Sequence, residues 1–186
     1  MRAFIAIDLP GPLHTALANT QQAFRSACPG ARWTHPEGIH LTLKFLGEIS
    51  DPQMKHVVEA LTPIATFEAF HVEVKGFGFF PDAGRPRVFW VGVEAPPALA
   101  ELAARVDGAL EKVGFLREPR AYTPHLTLAR FPAPRAQPAL EAALARYKAP
   151  AVGGFEASEF YLFESKLSPQ GAQYRKVMRF PRLARG

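Results

Sequence analysis

The chain has 186 residues, 48% hydrophobic and 21% charged, which is the size of one globular domain or two small lobes sharing a core, and too short for a multidomain machine. Lys and Arg number 22 against 17 Asp and Glu, a net charge of +5 that permits a nucleic-acid partner without establishing one. The single cysteine, Cys28, rules out an internal disulfide and a cysteine zinc site, and no apolar run nears the roughly 18 residues that span a bilayer.

The opening run Ala3–Asp8 reads as a strand. Asp8 interrupts it too early for a signal peptide, so a soluble cytoplasmic protein is expected. Leu13, Leu17, Phe24 and Cys28 then recur at helical spacing, and Ile39–Leu46 returns to strand character. Ser50-Asp51-Pro52 offers an N-cap and a first-turn proline to a helix with Met54, Val57, Val58, Leu61 and Ile64 on its apolar face. Two strands, Phe70–Phe80 and Val88–Val93, flank Pro81-Asp82-Ala83-Gly84-Arg85-Pro86, the clearest loop in the chain. Gly76-Phe77-Gly78 lies inside the first of them and reads as a bend, not a nucleotide loop.

Pro96-Pro97 opens a third helix marked by Leu99, Leu102, Val106, Leu110 and Val113. The strand run His125–Phe131 follows, then a shorter helix at Leu140, Leu144 and Tyr147, then the runs Phe155–Phe163 and Gln173–Phe180. Several strands succeed one another without a helix between them, so antiparallel pairing and an α+β fold are expected. No linker separates independent domains. Residues 1–186 are expected to form a single domain of two related lobes.

One tetrapeptide occurs twice: His40-Leu41-Thr42-Leu43 and, 85 residues on, His125-Leu126-Thr127-Leu128. Both copies lie in strand-like runs, both follow a turn-forming residue (Gly38, Pro124), and an amphipathic helix follows each. Alternation puts His40 with Thr42 on one face and Leu41, Leu43 and Phe45 on the other; His125 pairs with Thr127 in the same way. Each copy thus buries leucines and presents an imidazole and a hydroxyl roughly 6–7 Å apart. Two such strands across a groove bracket a small anion. Imidazole gives and takes protons near neutral pH, and a hydroxyl donates to an oxyanion without carrying charge. The chemistry suits a phosphodiester, with one His as base, one as acid and both Thr on phosphate oxygens.

Other readings fit less well. A divalent ion held by these two His would lack ligands, because threonines fill the intermediate positions and no carboxylate or Cys adjoins them. A purely structural repeat explains the leucines but not the matched polar pair. His14, His35, His56 and His71 read as structural. There is no phosphate-loop, dinucleotide or nucleophile-elbow signature, so no cofactor is expected. By strict alternation Lys44 continues the His40/Thr42 face, and Arg130 reaches it only if its strand ends or bulges at Ala129. The segment Tyr174–Arg185 is the most basic stretch, read equally as a solvated edge strand or an RNA-facing surface.

The paired motifs resemble those of the 2H phosphoesterases, specifically the RNA 2′,3′-cyclic phosphodiesterases also called 2′-5′ RNA ligases. Arg2-Ala3-Phe4-Ile5-Ala6-Ile7-Asp8, Trp33 and His40–Gly47 are similar to the first half of that family. Arg87–Val93 and Tyr122–Arg130 resemble its second half, and Phe163–Gly171 with Tyr174 its closing segment. The resemblance implies a bilobal α+β fold, with antiparallel sheets lining a central cleft and helices outside. It implies metal-independent hydrolysis of RNA 2′,3′-cyclic phosphate ends, or of nucleoside 2′,3′-cyclic phosphates, to 2′-phosphomonoesters, and reversible 2′-5′ joining. On that basis His40 is the proton donor, His125 the proton acceptor, and Thr42, Thr127, Arg130, Lys44 and Tyr122 bind substrate. The symmetric repeat alone leaves the two His roles interchangeable. Tyr122, Phe45 or Phe79 would stack on the terminal base, although period puts Phe45 in the core; Arg87 and Arg175 would follow the RNA backbone. The other class of function consistent with these residues is a non-catalytic RNA-end binder. No membrane partner is expected, and the protein is expected to be a monomer.

Overall fold

The computed structural model describes residues 1–148, 151–169 and 171–181. In chain order the strands are β1 (Arg2–Ile7), β2 (Arg32–Trp33), β3 (Leu41–Glu48), β4 (Phe70–Phe80), β5 (Val88–Glu94), β6 (His125–Arg130), β7 (Gly153–Ala157), β8 (Phe160–Ser168) and β9 (Gly171–Phe180). They pair antiparallel throughout, in two sheets ordered β3-β1-β8-β9 and β2-β6-β5-β4-β7. The helices are α1 (Gly11–Phe24), α2 (Asp51–Leu61), α3 (Pro97–Glu111) and α4 (Pro138–Arg146). The fold is α+β, as its consecutive strand runs require.

Each long helix starts where its sequence carries a stop for the preceding strand. Ser50 closes a capping box with Gln53, its hydroxyl accepting from the Gln53 amide while the Gln53 side chain takes the Ser50 N–H. A proline in the first turn starts all four. The helices are exchanged between the sheets. α1 leaves the first sheet and sets Phe24 against Phe77 and Phe89 of the second, at 5.4 and 5.8 Å between ring centres. α3 leaves the second and packs behind β3 of the first. One continuous core results, joining Ile5, Leu41 and Leu162 to Phe89, Val91 and Leu126.

Two details depart from the sequence reading. The run Phe155–Phe163 is not one strand: it breaks at Ser158-Glu159, and β7 lies in the second sheet while β8 lies in the first. β2, unforeseen, is two residues long and sits beside the end of β6, where Thr34 N–H donates to the Leu128 carbonyl at 3.0 Å. Of the basic closing segment, β9 is the last strand of its sheet, and its cations are matched by carboxylates: Arg175 by Glu164, Lys176 by Asp8, Arg179 by Glu159. That favours the edge-strand reading for 171–181. Arg182 and Arg185 lie outside the described residues.

Candidate active site

β3 is the outer strand of the first sheet, and β2 covers only Ala129 and Arg130 of β6, so the two motif strands come into contact along their open edges. Tyr122, just ahead of β6, ties them: its hydroxyl donates to the Thr42 carbonyl at 3.0 Å, and burial pushes its phenol pKa up. Tyr122 therefore reaches the site as a link between the motifs.

On the first sheet, the face away from the common core carries Phe4, Ala6, Tyr161 and Phe163 as a small cluster of its own. His40 sits on that cluster, 4.3 Å from the Phe163 ring, 5.7 Å from Phe4 and 5.3 Å from Tyr174. His125 sits on the corresponding face of the second sheet, 4.8 Å from Phe80 and 6.4 Å from Trp90. Trp90 can lie there because Gly78 beneath it has no Cβ; one added would come within 2.2 Å of the indole.

Both imidazoles are held alike. His40 Nδ1 bonds the Gly38 carbonyl at 2.9 Å and His125 Nδ1 the Thr123 carbonyl at 2.8 Å, each two residues upstream. An Nδ1–H donated to a carbonyl leaves Nε2 as the working nitrogen of the neutral ring. Burial pushes His40 down to about 4, against the pull of the Asp8 carboxylate and the Gly38 bond. His125 is also lowered, chiefly by burial, with the Thr123 bond opposing and the Arg130 guanidinium adding to the effect. Among the described residues neither the Thr42 nor the Thr127 hydroxyl is engaged by the protein, so both are available to a ligand.

Each motif strand bulges at the same place. Ala6 faces Thr42 and Ile5 faces Lys44, so Leu43 is the extra residue; Trp90 faces Thr127 and Phe89 faces Ala129, so Leu128 is extra. Parity flips beyond each bulge. Arg130 joins the Thr127 face, and Ala129 enters the core. The bulge that Arg130 needs to reach the site is present, one residue earlier than expected.

The same flip corrects two expectations. Phe45 is not core: it lies on the Thr42 side, opposite Phe4, and is 71% exposed. Lys44 does not continue the His40/Thr42 face; it turns inward, where its ammonium pairs with Asp107 of α3 and donates to the Leu116 carbonyl at 2.7 Å. Strict alternation failed because an extra residue in one strand reverses the facing of everything after it. Phe79 stacks on Phe89 within the core side of β4, 5.4 Å away, and Arg175, exposed, pairs with Glu164 at 2.8 Å. Arg87 is exposed.

Sequence reasoning missed Asp8. β1 and β3 run in a register of Ala6 with Thr42 and Ile7 with Leu41, which continues to Asp8 beside His40. Its Oδ1 is 3.8 Å from His40 Nε2 and 3.8 Å from His14 Nε2, and Lys176 Nζ lies 2.5 Å from Oδ2. The signal was present: Phe4, Ala6 and Asp8 alternate onto one face. His14 bonds the Pro36 carbonyl at 2.7 Å and adds a second ring to this corner. Among the described residues no three His, Cys, Asp or Glu converge as a metal site, and no helix is long and apolar enough to cross a membrane.

Two half-buried imidazoles whose Nε2 atoms make no hydrogen bond among the described residues, two unengaged hydroxyls and one arginine, on two strands in contact, form the candidate site. Residues 13–168 match the model of the 2′-5′ RNA ligase superfamily, and the chain belongs to that family. An RNA 2′,3′-cyclic phosphodiesterase of Methanothermobacter thermautotrophicus is 33% identical over 94% of this chain and 95% of its own length. One of Aeropyrum pernix is 39% identical over 76% and 80%. Escherichia coli LigT in complex with 3′-AMP superposes with a TM-score of 0.76 at 25% identity, covering 98% of both chains. A Thermus thermophilus structure reaches 0.80 at 28%, covering 97% of both.

Proposed function

We propose that this chain is an RNA 2′,3′-cyclic phosphodiesterase that opens the ring to a 2′-phosphomonoester by paired-imidazole catalysis without a metal. His125 Nε2 takes a proton from water as the water oxygen bonds to phosphorus. The P–O3′ bond breaks, and His40 Nε2 delivers its proton to O3′. Thr42 and Thr127 donate to the non-bridging oxygens, where negative charge shifts in the transition state, and Arg130 balances it. An RNA 5′-hydroxyl in the place of water gives the 2′-5′ linkage, and the reverse step breaks it. The names of the curated relatives support the reaction class, and the 3′-AMP complex of LigT shows that a neighbour of this fold takes a nucleoside monophosphate.

The observation that carries the reading is the matched Nδ1-to-carbonyl bond, which leaves both Nε2 atoms free for proton transfer. Burial lowers both rings, and the largest charge acting on each differs in sign, with His14 and Lys176 opposing Asp8 at His40. Asp8 stands beside His40 Nε2 and favours its charged form, whereas Arg130 favours the neutral form of His125. That asymmetry supports His40 as acid and His125 as base, a choice the symmetric repeat leaves open. A phosphate arriving between the rings raises both pKa values and helps His40 take up its proton.

Incubation with a nucleoside 2′,3′-cyclic phosphate in EDTA tests this. The 2′-phosphate forms at an undiminished rate. Loss of activity with the chelator contradicts the metal-free mechanism, a 3′-phosphate product inverts the leaving oxygen, and binding without turnover favours the RNA-end binder. Thr42→Val and Thr127→Val keep shape and lose the donor. Each lowers kcat about 10²-fold, read by steady-state kinetics; wild-type values in both remove the threonines from the mechanism.

A further inference from the structure

The second sheet contains two directly opposed pairs of like charges. In β4 and β5, Glu73 faces Glu94, and the chain supplies the counter-ion: Lys75 Nζ lies 3.5 Å from Glu73 and 2.8 Å from Glu94. In β2 and β6, Arg32 faces Arg130. Both arginines are exposed, and among the described residues no carboxylate pairs with either. Like charges opposite one another destabilise a sheet, and here, among the described residues, the chain places no carboxylate to offset them. The pair lies on the cleft face, because its neighbours in register, Trp33 and Ala129, fill the core.

The chain invests in holding Arg32 there. β2 is only two residues long, yet Gln21 of α1 donates to the Thr34 carbonyl at 2.7 Å and the Leu128 carbonyl at 3.0 Å, pinning β2 and the β6 bulge together. Arg25 lies over the Trp33 ring at 5.3 Å. Two exposed arginines in register on one face of the sheet can meet the non-bridging oxygens of two successive phosphates. A nucleoside cyclic phosphate carries one phosphate, which the histidines, the threonines and Arg130 engage, leaving Arg32 beside it for another. The next phosphate exists only in an RNA strand, on the 5′ side.

We propose that Arg32, opposite Arg130, forms a subsite for the phosphodiester immediately 5′ of the reacting nucleotide, so that the site selects RNA ends over free cyclic nucleotides. This rests on the function proposed above and adds its substrate selectivity. Arg32→Gln and Arg32→Lys are compared with wild type on a nucleoside 2′,3′-cyclic phosphate and on a dinucleotide ending in one. Arg32→Gln lowers the ratio of kcat/KM for dinucleotide over mononucleotide about tenfold, and Arg32→Lys restores part of it. The salt dependence of log kcat/KM for the dinucleotide becomes shallower by about 0.7. An unchanged ratio and slope in Arg32→Gln overturn the proposal, as does equal loss on both substrates. If the wild type turns over neither, the catalytic reading fails separately. Calorimetric binding of the same dinucleotide then decides the subsite: about tenfold weakening in Arg32→Gln supports it, and unchanged affinity overturns it.

Discussion

His40→Ala and His125→Ala each lower turnover of a 2′,3′-cyclic phosphate by about 10²–10⁴ or more, with folding preserved. The size follows from what each ring does. Removing the acid forces O3′ to leave as an alkoxide, and removing the base leaves water as a weak nucleophile. Folding survives for a local reason: neither ring belongs to the common core, and each hangs from its own backbone by one Nδ1 bond. Steady-state kinetics beside thermal melting checks both halves. Near-normal turnover in His40→Ala contradicts the assigned chemistry.

Lys44→Met costs about 2 to 3 kcal/mol of stability, below the usual cost of breaking a buried pair because Arg117 still reaches Asp107 at 3.3 Å. Burial alone would raise the Asp107 carboxyl pKa, but Lys44, the Glu118 amide and Arg117 hold it below its ordinary value. Methionine keeps most of the lysine stem and leaves that carboxylate without its ammonium. The same lysine holds the Leu116 carbonyl, at the start of the segment that leads to Tyr122 and His125. The variant therefore also slackens the tie between the motifs, and kcat falls with stability. Urea denaturation measures the first effect. Lys44→Met/Asp107→Leu, which removes both charges, recovers much of the loss; a single variant as stable as wild type contradicts the structural role of the pair.

The elements were legible in the sequence where one periodicity ran unbroken. Leu99, Leu102, Val106 and Leu110 face the core of α3 as their spacing requires, and Phe70–Phe80 is a strand over its whole length. The reactive pairs were legible because a four-letter repeat with polar residues at alternate positions asks for a cleft. What sequence could not supply was register. A one-residue bulge at Leu43 sends Lys44 inward and Phe45 outward, and nothing in His-Leu-Thr-Leu-Lys-Phe marks it. Asp8 lies beside His40 through the pairing of strands about thirty residues apart, and Arg32 lies opposite Arg130 through a strand too short to show a period. The features that set charge in the cleft are long-range ones.

The pH dependence of kcat/KM in wild type and in the two histidine variants tests the central claim most directly. A base works when neutral, so its contribution falls as pH drops below its pKa; an acid works when protonated, so its contribution falls as pH rises above its pKa. Burial lowers both rings, His40 to about 4, so the wild-type profile is a bell with its maximum below the ordinary imidazole value of about 6.5. His125→Ala retains the alkaline fall and loses the acidic one; His40→Ala retains the acidic fall and loses the alkaline one. A complete bell surviving in either variant would contradict the account.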